Sequence, residues 1–109
     1  MNPVLVVGED AAFRRFVRIT LQRAGYPVED LRFVPEGLPG CDGAAVVYDC
    51  PMGDRGTDLL ARLGQGARVL WVTAGLTDER PAGPWVLVKP FDPGELVGLL
   101  EKLLLQPVG

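Results

Sequence analysis

Glu9, Asp49, Thr73 and Lys89 are the residues of this chain whose types and spacing could do chemistry. Two carboxylates, a hydroxyl and an ammonium suit phosphoryl transfer to a carboxylate. Glu9 and Asp49 could hold a hard cation such as Mg²⁺, which takes one or two protein carboxylates and keeps several waters. Such a cation would neutralise an incoming phosphoryl group while the Asp49 carboxylate attacks phosphorus in line and becomes an aspartyl phosphate. Lys89 would balance charge on the phosphoryl oxygens, and the Thr73 hydroxyl would donate a hydrogen bond to one of them. Much other chemistry is excluded, because the chain has no histidine and so no Ser-His-Asp, Cys-His or histidine-ligated zinc site. Cys41 and Cys50 match no zinc or redox spacing and read as free thiols, and Cys50 has no base or basic cluster beside it to lower its pKa.

Four residues so far apart need a scaffold that brings them together. Val4-Leu5-Val6-Val7 is a continuous apolar run of the kind a parallel strand buried on both faces requires. A helix follows, capped by Asp10 and ended by Gly25. Its inner face is expected to carry Phe13, Phe16, Val17, Thr20, Leu21 and Ala24, with Arg14, Arg15, Arg18 and Arg23 outside. Further strands are expected over Val28–Val34, Ala44–Tyr48, Arg68–Val72 and Trp85–Val88. Thr57–Leu63 reads as a helix of about two turns and Thr77–Arg80 as a single turn. Pro35 to Gly43 is too short and too rich in Pro and Gly for a crossover helix. Asp92-Pro93-Gly94-Glu95 starts a last helix, with Asp at the N-cap, Pro at N1 and Glu at N3 as in a capping box, running to about Gln106.

Strands alternating with helical segments predict an α/β fold, a parallel sheet whose carboxyl ends meet at a ligand-binding switch point. Those ends carry Glu9, Asp49, Thr73 and Lys89. The 109 residues form one domain, 1–109, and 48% apolar with 23% charged residues is ordinary for a soluble chain. A net charge of -3 without a basic run argues against nucleic acid as a partner. The apolar runs are too short for a membrane span or a signal peptide, so a cytoplasmic location is expected.

With those residues in that order, the sequence resembles the receiver domain of bacterial two-component response regulators, along nearly its whole length. Val4-Leu5-Val6-Val7-Gly8-Glu9-Asp10 resembles the acidic first motif and Val46-Val47-Tyr48-Asp49-Cys50-Pro51-Met52 the phosphoacceptor strand. Gly56-Thr57-Asp58-Leu59-Leu60 is similar to the start of the third helix, Val72-Thr73-Ala74 to the switch hydroxyl, and Val88-Lys89-Pro90-Phe91 to the lysine motif. The resemblance implies a flavodoxin-like, doubly wound five-stranded parallel sheet of order 2-1-3-4-5, here with shortened or missing second and fourth helices. It implies Asp49 as phosphoacceptor, Thr73 as switch hydroxyl, Lys89 as phosphoryl partner and a cis Lys89-Pro90 bond. Glu9, Asp49 and the Pro51 carbonyl are the implied Mg²⁺ ligands, with Asp10 as a further candidate. A histidine kinase or phosphotransfer protein and a downstream protein target are the implied partners, and the role is signalling, with at most self-catalysed phosphoryl transfer.

The sequence also departs from the receiver pattern. Gly8 stands where the first of two adjacent acidic residues is usual, which should weaken Mg²⁺ binding. Pro51 precedes Met52, where the family has proline after methionine. Val86 replaces the usual aromatic, and Trp85 is shifted to the opposite face of its strand. The last helix is apolar on most sides, with Leu96, Val97, Leu99, Leu100, Leu103, Leu104 and Leu105. This predicts either a homodimer or protein partner at the last strand and helix, or a short connection folded over them. Two functions stand beside each other: a phosphorylated stand-alone receiver, and a pseudo-receiver acting as a phosphorylation-independent interaction or dimerisation module. A third, a small flavodoxin-like ligand binder, lacks a cradle of backbone N–H groups before a helix.

Overall fold

The computed structural model describes residues 3–32, 45–49, 68–73 and 85–105. Strand β1 (Val4–Val7) is buried at all four positions, as its unbroken apolar run requires. Helix α1 (Ala11–Arg23) begins where Asp10 accepts a hydrogen bond from the Ala12 N–H at 2.9 Å. It ends with Ala24 as C-cap and Gly25 at φ 97°, a left-handed turn that glycine makes without steric cost. Strands β2 (Val28–Leu31), β3 (Ala45–Asp49), β4 (Arg68–Thr73) and β5 (Val86–Val88) follow, and helix α2 (Pro93–Leu104) closes the described chain.

All strand pairs are parallel, in the order β2-β1-β3-β4-β5, as expected for the resemblance. Side chains alternate across this sheet. Val4, Val6, Ala45, Val47, Leu70, Val72 and Leu87 share one face with Phe13, Val17 and Leu21 of α1 and with Leu96, Leu100 and Leu103 of α2. Leu5, Val7, Val46, Val69 and Trp71 form the buried cluster of the other face. There the Tyr48 and Trp71 rings meet edge to face, 5.6 Å between centroids. Among the described residues no helix is long and apolar enough to cross a membrane.

Several local expectations change. Strand β2 stops at Leu31, with Arg32 already outside it. Phe16 is exposed rather than core-facing, at the flank of α1, where its ring lies 5.9 Å from that of Phe91. Arg14 is sheltered rather than outward, while Arg18 stays 40% exposed; both reach Asp30 on β2, because a carboxylate on this outer strand draws the guanidinium groups across. Asp92 occupies the N-cap of α2, but its carboxylate takes no helix N–H. The Asp92 backbone carbonyl accepts from Glu95 and Leu96 instead. Val97, Leu99 and Leu104 are half-buried against the chain's own core, whereas Leu105 is 82% exposed. The expected helix at Thr57–Leu63, the turn at Thr77–Arg80, the connection at 35–43 and both cysteines lie outside the described residues.

Tyr26, after α1, packs against the core edge, and partial burial followed by the nearby Glu101 charge pushes its phenol above its ordinary value. The folded chain therefore holds this proton more tightly than the unfolded one. Its contribution is fully present below about pH 10, the ordinary tyrosine value, and is lost as pH rises through the higher folded one. Spectrophotometric titration should place the Tyr26 midpoint above that of a free tyrosine, and Glu101→Gln should lower it.

Candidate functional site

The C-terminal edge of the sheet is where the polar candidates gather. Register places Asp49, last residue of β3, beside Val72 of β4, and Thr73, last residue of β4, beside Val88 of β5. Lys89 comes directly after β5, and its backbone N–H donates to the Thr73 carbonyl at 2.8 Å, locking the two strand ends together. The Lys89-Pro90 peptide is cis. From there the Lys89 Nζ donates to Asp49 Oδ1 at 2.7 Å. A charge-assisted contact of this length fixes both side chains. The Asp49 side chain is 15% exposed and that of Lys89 37%, so the carboxylate is the sheltered member of the pair. The ammonium also lies 4.8 Å from the centroid of the Phe13 ring, a cation–π placement. Thr73 is buried to 9% exposure and hydrogen-bonded or otherwise engaged.

Asp10 and Glu9 divide their roles. Asp10 spends one carboxylate oxygen, Oδ1, on the start of α1. Glu9 is exposed on the turn after β1. Gly8, just before it, is buried against Asp49: a Cβ built there would stand 2.8 Å from the Asp49 Cβ and 3.5 Å from Oδ2. Glycine at this position therefore does two things. It removes a carboxylate, and it lets the end of β1 approach Asp49 more closely than any side chain would allow.

Among the described residues no three of His, Cys, Asp and Glu gather as a metal cluster, and Pro51 lies outside them. Glu9 and Asp49 offer two carboxylates, oxygen donors of the kind and number that Mg²⁺ takes from protein when water completes its shell. The sequence pattern missed the contact of Arg14 with the Gly8 carbonyl and its pairing with Asp30. A usable signal was present: Arg14 and Arg18 are four apart on one helix flank, and Asp30 is a carboxylate within a strand.

No protein-family model matches the chain. It is 33% identical over 118 aligned residues to the DNA-binding transcriptional regulator NtrC of Rhizobium meliloti (strain 1021). That alignment takes in 95% of this chain but 24% of the relative, so the chain spans about a quarter of that protein's length. Solved structures share the fold at 23% identity. A CheY-like response regulator receiver domain protein from Methanospirillum hungatei JF-1 superposes with a TM-score of 0.71, over 95% of this chain and 94% of that one. The receiver domain of the hybrid histidine kinase CckA gives 0.67, over 94% and 99%. The chemotaxis response regulator CheY4 of Vibrio cholerae gives 0.63, over 94% and 98%. Sequence likeness to part of NtrC along almost the whole chain and the strand order 2-1-3-4-5 converge with these structures: the chain has the fold of the response regulator receiver domains.

Proposed function

We propose that this chain is a receiver that accepts a phosphoryl group on Asp49, from a histidine kinase or phosphotransfer protein, and passes the signal on by protein contacts. The observation that carries the reading is the 2.7 Å contact between Lys89 Nζ and Asp49 Oδ1 at the C-terminal edge of the sheet. Glu9, Asp49 and the Pro51 carbonyl would hold Mg²⁺, which when bound supplies positive charge against the phosphoryl oxygens. Asp49 is the nucleophile: one carboxylate oxygen forms the bond to phosphorus as the bond from phosphorus to the donor's leaving atom breaks, an imidazole nitrogen in a phosphohistidine donor and an acyl oxygen in acetyl phosphate. Lys89 holds Oδ1, which orients the carboxylate before attack and keeps a positive charge beside the phosphoryl oxygens after it. The Thr73 hydroxyl, one strand over, donates to one of those oxygens. Shelter of Asp49 from solvent limits the water that would compete with its charge interactions.

Intact-protein mass spectrometry after incubation with acetyl phosphate tests this, with and without Mg²⁺, on wild type and Asp49→Asn. A Mg²⁺-dependent gain of one phosphoryl group is expected in wild type and none in Asp49→Asn. No gain in wild type would turn the assignment to a phosphorylation-independent interaction module.

A further inference from the structure

Arg14 lies one turn into α1, and its guanidinium reaches back past the start of the helix. Nη1 donates to the carbonyl oxygen of Gly8. Nε stands 3.5 Å from Asp30 Oδ2 on β2, and the other oxygen of Asp30 accepts from Arg18 Nη1 at 3.1 Å. Only 17% of the Arg14 side chain is exposed, so this is not a loose surface pair. The Gly8 carbonyl belongs to the peptide that joins Gly8 to Glu9. On its other side Gly8 donates its N–H to the Leu31 carbonyl at 3.1 Å.

Glycine leaves more backbone freedom than any other residue, and this one cannot gain a side chain without meeting Asp49. The turn that delivers Glu9 is therefore anchored from outside. A charged donor on a carbonyl makes a stronger bond than a neutral one. The guanidinium fork lets one side chain hold the carbonyl and Asp30 together, which an ammonium does not reproduce.

We propose that Arg14 is a positioning residue that fixes the Gly8–Glu9 peptide next to Asp49, and through it the direction in which the Glu9 carboxylate is presented. The functional part of this inference rests on Glu9 and Asp49 as Mg²⁺ ligands. Arg18 belongs to the same charge chain but bonds Asp30 alone in it, which makes it the control.

The test uses the ¹⁵N-labelled full chain as wild type, Arg14→Met, Arg14→Lys and Arg18→Met. The backbone order parameter of the Glu9 amide is measured without metal, and Mg²⁺ is then titrated by amide shifts. Wild type should sit near ~0.85 and Arg14→Met should fall towards ~0.6, rigid and flexible backbone values respectively. Arg18→Met should leave Glu9 as ordered as in wild type although it too loses an ion pair. Mg²⁺ affinity should drop about tenfold in Arg14→Met, the lower end for an outer-shell partner of a metal site, with Arg14→Lys between. Arg14→Lys carries the order-parameter test should the Met variant fail to fold. An unchanged Glu9 in the Arg14 variants, or an equal loss of order in Arg18→Met, overturns the proposal. Expected order parameters in a wild type that binds no Mg²⁺ would uphold the positioning and discard the metal ligands of the preceding section.

Discussion

Lys89→Met should slow phosphoryl gain at Asp49 from acetyl phosphate by about a hundredfold, the scale seen when a fixed donor to developing charge is removed. It should change the free energy of unfolding by less than about 1 kcal/mol, because the lysine side chain is more than a third exposed and pairs of that kind contribute little in water. The two effects separate for a structural reason. The Lys89 ammonium lies 4.8 Å from the centroid of the Phe13 ring, and a methionine thioether makes a favourable contact with an aromatic ring in its place. What the variant loses is the ammonium on Asp49 Oδ1, which in the proposed reaction both orients the carboxylate and faces the charge that arrives. Rates from time-resolved mass spectrometry and stability from urea unfolding give the comparison. A loss below about threefold would remove Lys89 from the phosphoryl site, since so small a factor is under 1 kcal/mol of barrier.

Gly8→Asp should fail to act as a repair. It restores the acidic residue that receivers usually have, yet the new Cβ would lie 2.8 Å from the Asp49 Cβ. That atom is bonded directly to the β3 backbone, so it cannot swing aside as a side-chain tip would. The ends of β1 and β3 must part. The expected cost is about 2 kcal/mol, within the range for overpacking a well-filled interior, and Asp49 moves off Lys89, so phosphoryl gain falls rather than rises. Gly8→Ala separates sterics from charge: it should lose similar stability with no carboxylate added. Urea midpoints for both variants check this. A Gly8→Asp protein as stable as wild type, with faster phosphorylation, would show that the strands part freely and that the carboxylate alone is missing.

How much of this could be read beforehand differs from place to place. The strands with unbroken apolar runs, β1 and β4, were legible because burial on both faces leaves no other composition. The gathering of Asp49, Thr73 and Lys89 was legible because each ends or directly follows a strand, and a parallel sheet brings those ends to one edge. The environment of Gly8 was not. A sequence shows which carboxylate is lacking but not the gap between two strand ends, which is set by packing across the sheet. Arg14 was misread for a related reason: helical periodicity assigns it a flank, while the reach of a long side chain to Asp30 and to the Gly8 carbonyl depends on β2 lying alongside. The N-cap of α2 shows the limit of motif reading, since Asp92 has the right place and backbone angles but leaves its carboxylate out of the cap.

The two tryptophans lie next to each other across the β4–β5 ladder, where the Trp71 N–H donates to the Trp85 carbonyl, yet their rings are on opposite faces of the sheet. Trp71 is buried edge-on to Tyr48, the residue before Asp49, while Trp85 is half-buried beside the helices. The chain thus carries two native fluorophores of unequal solvent access. An aqueous quencher meets Trp85 first and leaves Trp71 to dominate the residual emission, a label-free optical signal from the strand that lies beside Asp49.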